Sequence, residues 1–483
     1  MKAKLILPAL TEAKSPYFRP IKYSLFPPLG LAALAAHLDS GDEIALVDEH
    51  VERLRLDDRP ELVVIQVYIT NARRAYAIAE HYRQLGSYVV LGGLHVTSLP
   101  EEASAHADSI FLGPGDATFP EFLRDFRNGR AKRRYFSSVR TLAGIPPVRR
   151  DLIKRELYLV PNSIVVTRGC PHHCSFCYKD AFFAGGRGFY TQRVDEALAE
   201  IERLPGKHLY FLDDHLLGDV RFARSLFDGM RGMGRLFQGA ATVDSIQRGD
   251  LIEHAVRAGL RSLFVGFETL SPDNLKASNK RQNLDRDYAR VTGRLRDLGV
   301  MINGSFVFGL DDDGPDVFER TVDWGVNQGL TTATYHILTP YPGTAAYRQL
   351  EAQGRIRTRD WDLYDTRHVV YQPRGMSPEV LEAGYRRAYG DFYSWSSLAR
   401  ASRQQASLQR SLQHLLYASG WKKFEPLWNA AIQARRLARL RPLLEGILSH
   451  ERRAPAGSWR DKTSGKSASK TELQRPHSLP IAP

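Results

Sequence analysis

Cys170-Pro171-His172-His173-Cys174-Ser175-Phe176-Cys177 contains all three cysteines of a 483-residue chain. Thiolates are preferred ligands of iron–sulfur clusters, and these three can converge only if the chain between them is a tight loop. The stretch follows Ser163-Ile164-Val165-Val166-Thr167, a β-branched run that reads as a strand, with Arg168-Gly169 as the turn. Three cysteines hold three irons of a 4Fe–4S cube and leave the fourth iron open to a non-protein ligand. An open position marks a site of chemistry rather than a structural staple, by the logic that separates catalytic from structural zinc. The same residues admit a second reading, a Cys3His zinc site completed by His172 or His173. One compact loop is, however, an awkward source of four tetrahedral ligands.

Downstream of the loop, apolar runs alternate with helical patterns. Strands are predicted over 163–167, 208–212, 239–242, 262–267, 301–308 and 332–338, and helices over 194–203, 220–233, 250–258, 285–298, 317–328 and 345–353. Six strand–helix units are too few for a closed eightfold barrel and predict a partial (βα)6 barrel, with chemistry at the carboxyl ends of the strands. Unusual residues fall at those ends: Asp213-Asp214-His215, Gly266-Phe267-Glu268-Thr269, the run from Gly304 to Gly309, and Thr339-Pro340-Tyr341-Pro342-Gly343-Thr344. Carboxylates at a strand end can accept hydrogen bonds from an ammonium group, or simply cap the following helix. His215, Tyr335, His336 and Tyr178 are candidate proton carriers or walls of a dry pocket, walls being the preferred reading.

Upstream, strands are predicted over 3–7, 43–47, 62–67, 88–91 and 109–112, with helices over 29–38, 72–85, 101–106 and 120–126. This alternation predicts a doubly wound, Rossmann-like α/β sheet, whose ligands sit outside the carboxyl ends of its strands. Those ends carry Pro27-Pro28-Leu29-Gly30, Tyr68-Ile69-Thr70, Gly92-Gly93-Leu94-His95-Val96-Thr97 and Gly113-Pro114-Gly115-Asp116. Glycines there let backbone approach a nucleotide-like cofactor closely.

The C-x3-C-x2-C spacing, with Phe176 before the last cysteine, resembles the radical S-adenosylmethionine (SAM) superfamily. In that family the open iron binds the amino and carboxylate groups of SAM, and one electron cleaves it to a 5′-deoxyadenosyl radical. Together with the glycine-rich turns, the motif resembles the cobalamin-binding, class B radical SAM enzymes over residues 1–390. The resemblance implies that Cys170, Cys174 and Cys177 hold the cluster, and that Phe176, Asp213, Asp214, Glu268, Gly304 and Gly309 face SAM. It implies a cobalamin pocket at Pro28, Gly30, Tyr68, Thr70, Gly92, Gly93, His95, Thr97, Gly113 and Gly115. It also implies an electron donor such as a flavodoxin or ferredoxin. Two departures stand out. The family's last turn is often Gly-Glu-Gly-Glu, where this chain has Gly113-Pro114-Gly115-Asp116. The D-x-H-x-x-G motif that gives cobalt a histidine in other cobalamin proteins is broken by Arg53 after Asp48-Glu49-His50. His50 is therefore read as a surface histidine and cobalamin as lacking a protein ligand on its lower face. The alternative is a vestigial scaffold that binds no cofactor.

Function follows as an expectation: a cobalamin-dependent radical SAM methyltransferase acting on an unactivated carbon of a small-molecule or lipid-like substrate. The alternatives are an oxidase, cyclase or rearrangement enzyme of the same architecture, and a non-catalytic cobalamin sensor. A methylthiotransferase of transfer RNA needs three further cysteines, which the chain lacks. Domains are expected at 1–130 (cobalamin), 131–157 (linker), 158–360 (barrel), 361–450 (helical region) and 451–483 (disordered tail).

Of the net charge of +13, +11 lies from Arg400 onward, with 16 Lys/Arg against 5 Asp/Glu. Basicity belongs to the C-terminal segment, and no aromatic-interleaved groove points to nucleic acid. Met1-Lys2-Ala3-Lys4 leads into only three apolar residues before Pro8, so no signal peptide is expected, and reduced cysteines fit the cytoplasm. Residues 361–400 are expected to lay a helix across the barrel mouth. Residues 421–449 mix Trp, Phe and Leu with Lys and Arg, and read as a lid on the chain's own domain or as a basic helix touching a membrane surface.

Overall fold

The computed structural model describes residues 1–10, 25–423, 425–434 and 436–449. Six strands form the first sheet: β1 (Lys2–Leu7), β2 (Glu43–Asp48), β3 (Leu62–Gln66), β4 (Tyr88–Gly92), β5 (Ser109–Leu112) and β6 (Arg134–Phe136). All pair in parallel, in the order β2-β1-β3-β4-β5-β6. Their apolar runs are continuous because both faces are covered. Leu5, Leu62 and Val64 enter one core, whereas Ile6, Val63 and Ile65 enter the other, the period-2 consequence of the pleat. The order reverses at β1, which opens a crevice between the carboxyl ends of β1 and β3.

The boundary expected at residue 130 is corrected by β6, which adds Arg134–Phe136 to the sheet. The rest of the expected linker is not a free bridge either: Ile153 and Leu157 are buried in the core of the first sheet, as is Tyr158 just beyond it.

The second half begins with β7 (Ser163–Ile164), shorter than expected. The next residues turn away as β8 (Thr167–Gly169), which pairs antiparallel with β9 (Phe189–Thr191). Then follow β10 (His208–Phe211), β11 (Leu236–Thr242), β12 (Leu260–Glu268), β13 (Met301–Phe308) and β14 (Thr332–Ile337). These five and β7 make a parallel sheet in the order β14-β13-β12-β11-β10-β7. Each strand joins next to its predecessor, and β7 and β14 remain unpaired with each other, so the barrel is partial.

One C-terminal expectation is corrected. The helix Pro378–Phe392 does not cross the mouth; it packs on β14 through Tyr389, whose hydroxyl accepts from the Tyr335 amide at 3.1 Å. The helices from Leu408 onward cover the opposite, amino-terminal end of the barrel. There Gln405 donates to Gly329 O (3.1 Å), Arg410 to Arg296 O (2.8 Å) and Tyr417 to Gln238 Oε1 (3.4 Å). The expected disordered tail, 451–483, lies outside the described residues.

Candidate active site

The hairpin β8–β9 closes the cysteine loop. Gly169 has φ +78° and lies against Gly188 O so closely that a Cβ would stand 1.9 Å from it, so only glycine fits. Cys170 then donates its amide to Gly188 O at 3.2 Å, and Cys177 donates to Cys174 O at 3.0 Å. Cys170 and Cys174 are buried, and Cys177 is half-buried. Burial pushes the Cys177 thiol up to about 11, opposed by the Lys179 ammonium. Lys179 is half-buried, which by itself lowers its pKa, but the neighbouring sulfurs of Cys177 and Cys170 outweigh that and raise it. Gln282 points Nε2 at Cys174 Sγ, 3.4 Å away. Cationic and donor groups around three thiols suit an anionic cluster. Among the described residues no three His, Cys, Asp or Glu converge as they would around one ion, and a Cys3His zinc site requires that convergence. His173 instead faces Asp180 at 2.8 Å, and His172 faces Asp244 at 3.8 Å.

Asp213 and Asp214 do not cap the next helix; Asp219 does, accepting from the Phe222 amide at 2.9 Å. Asp214 brackets the cysteine loop. It accepts from the Gly169 amide at 3.1 Å on one side and from the Tyr178 hydroxyl at 2.9 Å on the other. Asp213 is buried, holds the Val166 and Thr167 amides with Oδ1, and leaves Oδ2 without a partner. Burial lifts its pKa to about 7.

Glu268 sits at a register shift between β12 and β13 with φ +67°, a conformation unusual for a non-glycine residue and typical of functional positions. The irregularity re-aims its carboxylate, which accepts from the buried Lys280 at 2.6 Å. Gly266 leaves room for that pair, since a Cβ there would meet Glu268 Oε1 at 2.6 Å. Phe176 packs half-buried against the barrel core.

Other candidates fare differently. Gly304 is a packing glycine, where a Cβ would meet Leu330 at 2.7 Å. Both backbone groups of Gly309 are already used, its amide by Asp313 and its carbonyl by Tyr371. Tyr335 points away from the mouth into an aromatic core with Phe308 and Tyr389, ring centroids 5.2 Å away in each case. His336, on the opposite face, contacts Thr366 Oγ1 at 3.2 Å. His215 is fully buried, bonded to Thr242 at 3.2 Å, and burial holds its pKa down at about 3. It is a neutral wall, with His172 against it at 5.7 Å.

The carboxyl ends of the first sheet face a cavity of ≈ 810 Å³. Pro28, Gly30, Tyr68 and Gly93 line it from one side, and Arg168, Tyr178 and Asp214 from the other. Gly93 has φ +123°, and a Cβ would lie 2.6 Å from Val67 O. Pro146 and Pro147, in the expected linker, supply a further wall. A second cavity of ≈ 480 Å³ shares Tyr68, Leu94 and Tyr178 with the first. Thr70 and His95 line it, opposite Tyr341 and Tyr364. Gly92, Thr97, Gly113 and Gly115 stand behind these surfaces. Thr97 donates to Gly93 O (2.9 Å) and accepts from the Gly113 amide (3.0 Å), locking two turns together. Gly115 lies against Leu34, and Gly92 against Phe111. His50 is buried rather than on the surface, paired with Asp48 at 2.8 Å, and is not among the lining residues of either cavity. Sequence reasoning missed the ion pair between Arg168 and Asp116, which ties the last turn of the first sheet to the cysteine loop. It also missed Lys280 and Asp244. Only Asp116 carried a signal, as the end of a glycine turn.

Residues 23–123 match the B12 binding domain and residues 164–325 the radical SAM superfamily. A bacteriochlorophyllide d C-12(1)-methyltransferase of Chlorobaculum tepidum is 29% identical, covering 77% of this chain and 84% of its own length. A hopanoid C-2 methylase of Rhodopseudomonas palustris is 25% identical over 69% of this chain and 66% of its own. An anaerobic magnesium-protoporphyrin IX monomethyl ester cyclase of Rubrivivax gelatinosus is 24% identical over 75% and 74%. In fold, the chain resembles the radical SAM methyltransferase TsrM of Kitasatospora setae, with a TM-score of 0.61 and 15% identity over 92% of this chain and 99% of that one.

Proposed function

We propose that this chain, a radical SAM enzyme with an N-terminal B12-binding domain, methylates an unactivated carbon of a small-molecule or lipid-like substrate. One observation carries the reading: the turns of the first sheet and the residues that flank the cysteine loop, Arg168, Tyr178 and Asp214, line the same ≈ 810 Å³ cavity. A 4Fe–4S cluster supplies the electron that cleaves SAM and cobalamin carries the methyl group, while the protein positions both against substrate.

The chain's own part is as follows. Cys170, Cys174 and Cys177 ligate the cluster, and Asp214 fixes both ends of their loop. Lys179 and Lys280 offset the negative charge. The free oxygen of Asp213 is an acceptor for the SAM ammonium group, and Glu268 approaches SAM from the β12 end. Pro28, Gly30, Tyr68 and Gly93 shape the cobalamin surface, and Thr97 sets the spacing of its turns. The half-buried Tyr178 and the buried, neutral His215 act as walls of the pocket and not as proton carriers. With all three cysteines committed, the electron comes from a separate redox protein such as a flavodoxin or ferredoxin.

A second reading, oxidation or cyclisation without methyl transfer, is favoured by the cyclase relative. The two separate on incubation of reconstituted enzyme with methyl-labelled SAM and a lipid and pigment extract. Label in an extracted product is the expected result. Substrate-dependent 5′-deoxyadenosine without label transfer supports the second reading instead.

A further inference from the structure

We propose that the C-terminal helices form a docking surface for an anionic membrane. Six of the ten exposed large apolar side chains among the described residues fall between 395 and 443: Trp395, Leu408, Leu412, Leu416, Leu427 and Leu443. Leu408, Leu412 and Leu416 are spaced by four on one helix, so they form a stripe along one face. They are 77%, 53% and 63% exposed, whereas Leu415 and Ala418 of the same helix pack on the barrel core. The helix is therefore already seated, and the stripe is what remains outward.

The charge around this surface selects the occupant. Residues 395–449 carry nine Lys/Arg and two Asp/Glu, and Arg403, Lys423, Arg436 and Arg439 are exposed. Lys423 lies 5.4 Å over the exposed Trp395 ring, an amphipathic pair of the kind that sits at a headgroup boundary. A second copy of the same patch would bring like charge against like charge. An anionic bilayer takes both the cations and the leucines, and juxtamembrane cations strengthen such binding additively. Among the described residues no helix is long and apolar enough to cross a membrane, so the contact is interfacial. It lies at the barrel end opposite the cysteine loop and tethers the protein without touching the cofactor sites. It is therefore independent of the methyltransferase reading.

The test is co-sedimentation of the full-length protein with phosphatidylcholine vesicles, with and without phosphatidylglycerol. Binding is expected only to the anionic vesicles and to weaken with salt. Leu412→Glu/Leu416→Glu is expected to weaken it about tenfold or more with the melting temperature unchanged, since both side chains are exposed. Equal sedimentation with neutral and anionic vesicles, or none with either, overturns the proposal. So does undiminished binding by the double variant, which keeps every cation but puts two carboxylates in the stripe, and would locate the contact elsewhere. If the wild type sediments as a dimer that the same variant dissolves, without lipid binding, the stripe is a subunit interface and the proposal falls.

Discussion

At the scale of single residues, the site depends on polar groups whose removal has separable effects. Asp214 bonds both flanks of the cysteine loop, and charge-assisted bonds of this kind are worth about 1.5–3 kcal/mol each. Asp214→Ala is expected to lower iron and sulfide bound per chain after anaerobic reconstitution; full cluster occupancy would remove Asp214 from the loop's support. Glu268→Ala leaves Lys280 buried without its partner, which is destabilising by about 3–5 kcal/mol. Adding Lys280→Met should restore the melting temperature but not SAM affinity, so calorimetric titration with SAM separates a cofactor role from a structural one. Asp213 has a pH signature. Its folded pKa of about 7 lies above the unfolded value of about 3.9, so the folded state holds the proton more tightly. That contribution is complete below about pH 4 and is lost as pH rises through 7. The difference in melting temperature between wild type and Asp213→Asn should therefore shift in the variant's favour across that window. A constant difference would mean that Asp213 titrates normally. Much of this scale was legible: the cysteines and the strand-end carboxylates announce themselves. Tyr335 was misread although the alternation held the answer, because Ala333, Tyr335 and Ile337 are buried together and His336 must face the other way. Lys280 gave no signal, since its pairing arises from the register shift beside Glu268.

At the scale of elements, the turns ending the first sheet are over-determined by close contacts. Gly93→Ala would force a Cβ against Val67 O into a backbone conformation that L-residues avoid. It should destabilise the protein by more than about 1 kcal/mol and reduce the cobalamin retained on anaerobic gel filtration. Retention at wild-type level would show that this turn does not form the cofactor surface. Long β-branched runs and amphipathic helices were readable because burial on two faces writes itself into sequence. Short elements were not. β6 is Arg134-Tyr135-Phe136 with only Tyr135 buried, too brief for any period. The β8–β9 hairpin joins segments some twenty residues apart in a polar stretch, and its one sequence signal, Gly169, reads equally well as an ordinary turn.

At the scale of the whole molecule, two parallel sheets meet across one cavity, and the C-terminal helices close the far end of the second. The first part follows from two rules about where ligands sit in parallel α/β folds. The second could not be read, because an amphipathic helix does not declare which end of a barrel it covers. The shared cavity makes a quantitative demand. If substrate lies between the cysteine loop and the first-sheet turns, radical formation and methyl transfer act on one molecule in one turnover, and each consumes a separate SAM. The decisive measurement is therefore the yield of three compounds from reconstituted, cobalamin-loaded enzyme supplied with labelled SAM, a reductant and substrate. The account predicts 5′-deoxyadenosine, S-adenosylhomocysteine and methylated product in equal amounts. Substrate-dependent 5′-deoxyadenosine without S-adenosylhomocysteine or labelled product would contradict it.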